Sequence, residues 1–147
     1  VENVSPEQLE ELAVGADGEH PVTVLVRAHG CTKDTTERLE SLRERYPFFR
    51  WLDCTCPYVK KIHQIAASCD AESQCFLLLG AASHPEVVGI MSYFEGEKYV
   101  FADSQELQAA LDTDFLAKIS SKIPIMVAQT TQNLTEWKKC QKLLKKC

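Results

Sequence analysis

The chain has 147 residues, 45% of them apolar and 25% charged, and a formal net charge of −5. That length suits about one domain with a substantial core, and the negative balance argues against a general basic field for nucleic acid. No apolar run reaches the roughly 18 residues of a membrane span; CFLLLGAA is among the longest and suits a buried strand.

The first twenty residues hold six acids and no Lys or Arg, the reverse of a secretory signal. Seven cysteines at irregular spacing, without such a signal, read as reduced thiols of a cytoplasmic protein rather than a disulfide framework. Val1 in place of Met points to a processed chain or a piece of a larger protein.

In chain order, GADGEHP is a loop, and VTVLVRAHG (22–30) is a β-branched strand ending in polar residues. KDTTERLESLRERYP reads as a helix with capping-box spacing at Asp34 and Glu37 and a face of Leu39, Leu42 and Tyr46. FFRWLDCT is the next strand, and Pro57 opens a helix through YVKKIHQIAASC. QCFLLLG (74–80) is a buried strand, HPEVVGIMSYF a short helix, KYVFAD a strand and SQELQAALD a helix. IPIMVAQTT (123–131) is the last strand. NLTEWKKCQKLLKKC is the last helix, with capping-box spacing at Asn133 and Glu136 and a face of Leu134, Trp137, Cys140 and Leu144. Its lysines 138, 139, 142, 145 and 146 read as a solvated face.

Repeated βα units with unalternated apolar strands predict an α/β fold, a parallel sheet with helices on both faces. Ligands of such sheets sit off the carboxyl ends of the strands. The ends here are RAHG, DCTCP, GAASHPE and AQTT, which deliver His29, Cys56, His84 with Glu86, and Thr130 with Thr131. Standard dinucleotide, P-loop and zinc-protease motifs do not occur.

Each of these residues has two readings. Cys56 stands before a proline and opens a helix, where a thiolate is favoured, and thiolates bind iron–sulfur clusters; a structural thiol fits the same position. Cys54 suits buried packing. A zinc clip from Cys54, Cys56 and His63 is the alternative, although a one-residue gap is short for zinc. His29 and His84 can donate to phosphate oxygens; each is otherwise structural. Glu86 is either a first-turn acid complementing a helix dipole or a general acid. Thr130 and Thr131 can cap the last helix. His20 is assigned to a loop, and His63 to a helix surface as a bystander.

The motifs RAHG, DCTCPYVKKIH, GAASHPEVVGIM and AQTT, in this order, resemble the middle portion of the LytB family, the 4-hydroxy-3-methylbut-2-enyl diphosphate reductases. The resemblance runs from about Val22 to the C-terminus. It implies one lobe, plus part of another, of a three-lobed pseudo-threefold α/β enzyme. Residues 1–56 would end the first lobe, and 57–147 would form the middle one. It also implies a [4Fe-4S] cluster with Cys56 as one of three ligands, and His29 and His84 on the substrate diphosphate. Glu86 would be the proton donor, and Thr130 would bond near the substrate hydroxyl. The implied reaction is reductive dehydroxylation of an allylic diphosphate to isopentenyl and dimethylallyl diphosphate, in non-mevalonate isoprenoid synthesis. The electrons would come from a donor such as ferredoxin or flavodoxin, with no nucleic acid or membrane involved.

The sequence departs from the family in several places. The family's first and third cluster cysteines and its S-x-N motif are absent, and Cys140 and Cys147 match no ligand motif. Cys54 stands where the family has Ala, Cys31 where it has a branched aliphatic, and Ala81 where a polar residue is common. The chain is thus expected to be a central piece, inactive alone. The rival is a non-catalytic α/β binding or interaction module.

Overall fold

A computed structural model describes residues 2–145. After a 3-10 turn (Pro6–Gln8), the elements are α1 (Leu9–Val14), β1 (Val22–Val26), α2 (Lys33–Arg45), β2 (Phe49–Asp53) and α3 (Pro57–Ser68). Then follow β3 (Gln74–Leu79), α4 (Pro85–Ser92), β4 (Lys98–Phe101), α5 (Ser104–Leu111), α6 (Phe115–Ile119), β5 (Ile123–Ala128) and α7 (Leu134–Leu144). The α/β alternation read from the sequence is present, and α1 and α6 are additions to it. Lys146 and Cys147 lie outside the described residues.

The strands form two parallel sheets. In the first, β1 pairs with β2 in register Val22 to Phe49 through Val26 to Asp53. In the second, β3 lies between β4 and β5. Every residue of β3 from Cys75 to Leu79 is fully buried, so its apolar run does not alternate. Phe76 and Leu78 face α3 and α4, packing with Ala66, Val87, Ile90 and Phe94. Cys75, Leu77 and Leu79 face the other way, onto Leu107, Leu111, Phe115, Ile119 and Cys140 of α5, α6 and α7.

The expected two-sided cover therefore holds for the β3 sheet. The β1–β2 sheet differs. Its inner face packs on Leu9, Ala13, Leu39 and Leu42 of α1 and α2, while Leu25 and Leu52 on the other face are 52% and 56% exposed.

Local chemistry sets the helix starts, with two corrections. Thr32, not Asp34, caps α2, accepting the Thr35 N–H. Asn133 caps α7, but Glu136 accepts the Ser104 N–H and O–H at 3.1 and 2.7 Å instead of closing a capping box. That bond clamps α7 to α5; on α7, Leu134 is 63% exposed while Cys140 is buried. Pro57 and Pro85 each begin their helix as expected, where the missing N–H costs nothing.

The two sheets are joined where α2 begins and α4 ends. The Lys33 N–H donates to Ser92 Oγ at 2.9 Å. The Tyr93 hydroxyl meets Thr36 Oγ1 at 3.1 Å, and Thr36 Oγ1 meets Cys31 Sγ at 3.3 Å. Inside this junction lies His63, which is 8% exposed. Its ring stacks on Tyr93 with centroids 4.4 Å apart. His63 is thus a core residue rather than a surface bystander: α3 turns it inward along with Val59 and Ala66. Cys54 errs the other way. It is exposed, its backbone N–H merely extending the β1–β2 ladder to Val26 O.

Two predictions follow from this packing. Leu78→Ala empties a fully buried position and should cost about 2–5 kcal/mol, read as a lower urea midpoint. The second concerns pH. Burial pushes the His63 imidazole below its ordinary value of 6.5, against the opposing pull of Asp53 and Glu86. Below that value the unfolded chain binds more protons than the folded one, so this contribution is full above 6.5 and lost as the pH falls. Urea midpoints from about pH 8 down to pH 5 should decline, and His63→Phe should flatten the decline.

Candidate functional site

Parallel pairing brings the strand ends of each sheet to one edge, and the α2–α4 junction sets the two edges beside each other. After β1, the chain turns at Gly30, whose N–H donates to Arg27 O at 2.9 Å. Gly30 has φ +76°, and a Cβ there would stand 2.7 Å from His63 Cε1. Left-handed geometry and that close approach both demand glycine. The turn presents His29 to solvent.

After β3, the chain reaches His84, the N-cap of α4. His84 Nδ1 accepts the Glu86 N–H at 3.2 Å, so the ring's own N–H lies on Nε2. The His29 and His84 rings meet edge to face, with centroids 5.2 Å apart. Two residues from different sheets thus form one imidazole pair. A cavity of about 300 Å³ opens beside it, lined by His29, Gly30, Val24, Leu25, Pro85 and Val88 among others.

Glu86 occupies the first turn of α4 and is 1% exposed. One carboxyl oxygen accepts the Thr130 N–H at 2.6 Å, and the other bonds the Thr130 hydroxyl at 2.9 Å. Both groups lie just past β5, so Thr130 serves Glu86 rather than capping α7, where Asn133 does that work. Thr131 also does not cap; its hydroxyl accepts from Gln129 Nε2 at 3.2 Å.

Gln129 was not singled out from the sequence, yet it anchors this edge. It is buried, and its Oε1 accepts the Ala81 N–H at 3.2 Å. A Cβ on Gly80 would stand 2.9 Å from Gln129 Cβ. Its place inside AQTT, beside a strand-end glycine loop, was the available signal.

Cys56 caps α3 with its backbone, its carbonyl accepting the Lys60 N–H at 3.0 Å. Its own N–H donates to Ala28 O at 2.9 Å, tying it to the strand end that leads to His29. Asp53 steadies the approach: it accepts the Thr55 N–H at 2.9 Å and pairs with Lys60 at 2.7 Å. The six described cysteines are free thiols. Burial pushes the Cys31, Cys69, Cys75 and Cys140 thiols up, toward the protonated form.

Among the described residues no group of three or more His, Cys, Asp or Glu could hold a metal ion. The zinc clip of Cys54, Cys56 and His63 therefore fails: His63 points into the core and Cys54 to solvent. Cys56 is a free, partly exposed thiol at the start of α3, and the described residues do not supply three thiolates around one point.

The sequence profile of the LytB protein family matches residues 2–147. The 4-hydroxy-3-methylbut-2-enyl diphosphate reductase of Campylobacter hominis is 34% identical over 121 residues, covering 82% of this chain and 39% of that protein. That of Geotalea daltonii is 35% identical over 131 residues, covering 86% and 42%. A solved structure of (E)-4-hydroxy-3-methyl-but-2-enyl diphosphate reductase, described as the terminal enzyme of the non-mevalonate pathway, superposes with TM-score 0.65 at 27% identity. The superposition covers 97% of this chain and 50% of that one. The reductase from Plasmodium falciparum superposes with TM-score 0.66 at 18% identity, covering 96% of this chain and 51% of that one, a likeness of fold alone. The chain spans about two fifths of the length of these curated relatives. With the profile matched across nearly all of its residues, the chain belongs to the LytB family.

Proposed function

We propose that this chain supplies one part of a 4-hydroxy-3-methylbut-2-enyl diphosphate reductase site. The observation that carries the proposal is the buried Glu86 held by both the N–H and the hydroxyl of Thr130, beside the His29–His84 pair. The reaction adds two electrons and two protons to the allylic diphosphate, breaks its carbon–oxygen bond and releases water.

Each residue has a task in that balance. His29 and His84 bind the diphosphate, His84 through its Nε2–H, beside the first turn of α4. Glu86 delivers the proton that makes the hydroxyl leave as water. Thr130 can serve it in both states, because a hydroxyl rotates to donate to a carboxylate or to accept from a carboxylic acid. Burial of Glu86 keeps bulk water from competing for that proton. Cys56 is one of three thiolate ligands to a [4Fe-4S] cluster, which supplies the electrons when bound; the other two thiolates lie outside these residues. The chain by itself is therefore inactive.

The electrons come from an external donor such as a ferredoxin or flavodoxin, and the setting is the cytoplasm. No described helix is long and apolar enough to cross a membrane. We further propose that residues 1–56 belong to one lobe and 57–147 to the next. In support, among the described residues β1 and β2 pair only with each other, while Ile62, Ile65 and Ala66 of α3 pack on the β3 sheet.

The test uses a protein that carries this chain together with two further cluster cysteines, purified without oxygen. Glu86→Gln should keep iron content and visible absorption while turnover falls about 100-fold or more; a near-normal rate removes Glu86 as proton donor. Cys56→Ser should lose iron and absorption together. A wild-type protein that takes up no iron would instead favour the non-catalytic module.

A further inference from the structure

We infer that His63 is a positioning residue: its buried ring is the spacer that fills the space behind the Gly30 turn beside α4, and so fixes where His29 stands against His84. The spacer rests on geometry alone. Its consequence for anion binding rests on the diphosphate reading above.

The ring packs against the supports of both imidazoles. On one side is the Gly30 turn, so close that a Cβ would come within 2.7 Å of His63 Cε1. His29 is the next residue back along that turn. Beside it is Gly89 of α4, where a Cβ would stand 3.6 Å from His63 Nε2 and 3.3 Å from Cys31 O, so ring and turn both rest on this helix. His84 caps that same helix. The third wall is Tyr93, stacked at 4.4 Å and 21° and fixed by Thr36 across the junction. Two glycines and a stacked aromatic thus leave a slot of one ring's thickness, and His63 fills it.

The turn is also held by backbone bonds, Gly30 N–H to Arg27 O and Cys56 N–H to Ala28 O, each at 2.9 Å, and the ring fills the space behind them. Without the ring that space is empty, and a close-packed interior does not leave such a slot open. The turn would settle into it and carry His29 along. The 5.2 Å spacing of His29 and His84 is therefore a property of His63, which contacts neither reacting group.

The shape of the ring matters here, and its polarity does not. His63 Nε2 is buried and has no hydrogen-bond partner, so no bond is lost when that atom becomes carbon. A phenyl ring should keep the spacing and a non-aromatic side chain should not. Geometry and rescue separate this role from a general loss of stability.

The experiment labels the histidines of this chain with carbon-13 and follows the nuclear Overhauser contact between the His29 and His84 rings, with inorganic pyrophosphate affinity measured by calorimetry. His63→Phe should keep the contact and the affinity. His63→Gln and His63→Ala should lose the contact and weaken pyrophosphate binding about tenfold, while the methyl signals of the β3 core stay dispersed. If His63→Ala fails to fold, His63→Gln carries the comparison. A wild-type contact in His63→Gln, or its loss in His63→Phe but not in His63→Gln, overturns the spacer. A wild-type chain that shows the contact but binds no pyrophosphate removes the diphosphate reading, and the ring contact still decides the spacer.

Discussion

Glu86 is 1% exposed, and a polar group that deep costs about 1–3 kcal/mol in mutational terms unless it is hydrogen-bonded, more when ionised. Thr130 removes that cost with two bonds from one residue. The rest of the site depends on this pair. It joins the start of α4 to the end of β5, two segments 44 residues apart in the chain. Once α4 is fixed there, His84 is fixed as its cap, and Gln129 closes the neighbouring loop through the Ala81 N–H. The buried carboxyl is the peg on which that edge hangs, and in the proposed reaction it is also the proton donor.

A second constraint lies across the first. Cys56 and His29 arrive from the other sheet, whose strands run in parallel by their own ladder. The α2–α4 junction and the α3 packing relate that ladder to the β3 sheet. The contacts are few but specific: Lys33 to Ser92, Thr36 to Tyr93 and the His63 ring. The division of labour is physical. The β3 core supplies burial, and the junction supplies alignment.

Much of this was legible in the sequence. The buried β3 run, the proline-started helices and the polar strand ends all follow from local chemistry, and the LytB resemblance rests on those same ends. Other features depend on packing that periodicity does not show. His63 looks like a surface residue when its helix is read alone, because the glycines that make room for it lie 33 residues before it and 26 after. Thr130 looks like a cap until β5 is placed beside β3. Glu136 has capping-box spacing but meets a better donor in Ser104. The two-sided cover expected of the sheet fails at Leu25 and Leu52, because α1 and α2 pack together on the opposite face of that sheet.

The account's central claim is that strand ends from two sheets make one anion-binding corner. Its most direct measurement follows the His29 and His84 ring resonances of this chain as inorganic pyrophosphate is added. The account predicts that both shift along a single saturation curve with one midpoint, and that His29→Ala abolishes the response of His84. Resonances that move with different midpoints, or a His84 response indifferent to the loss of His29, would contradict it.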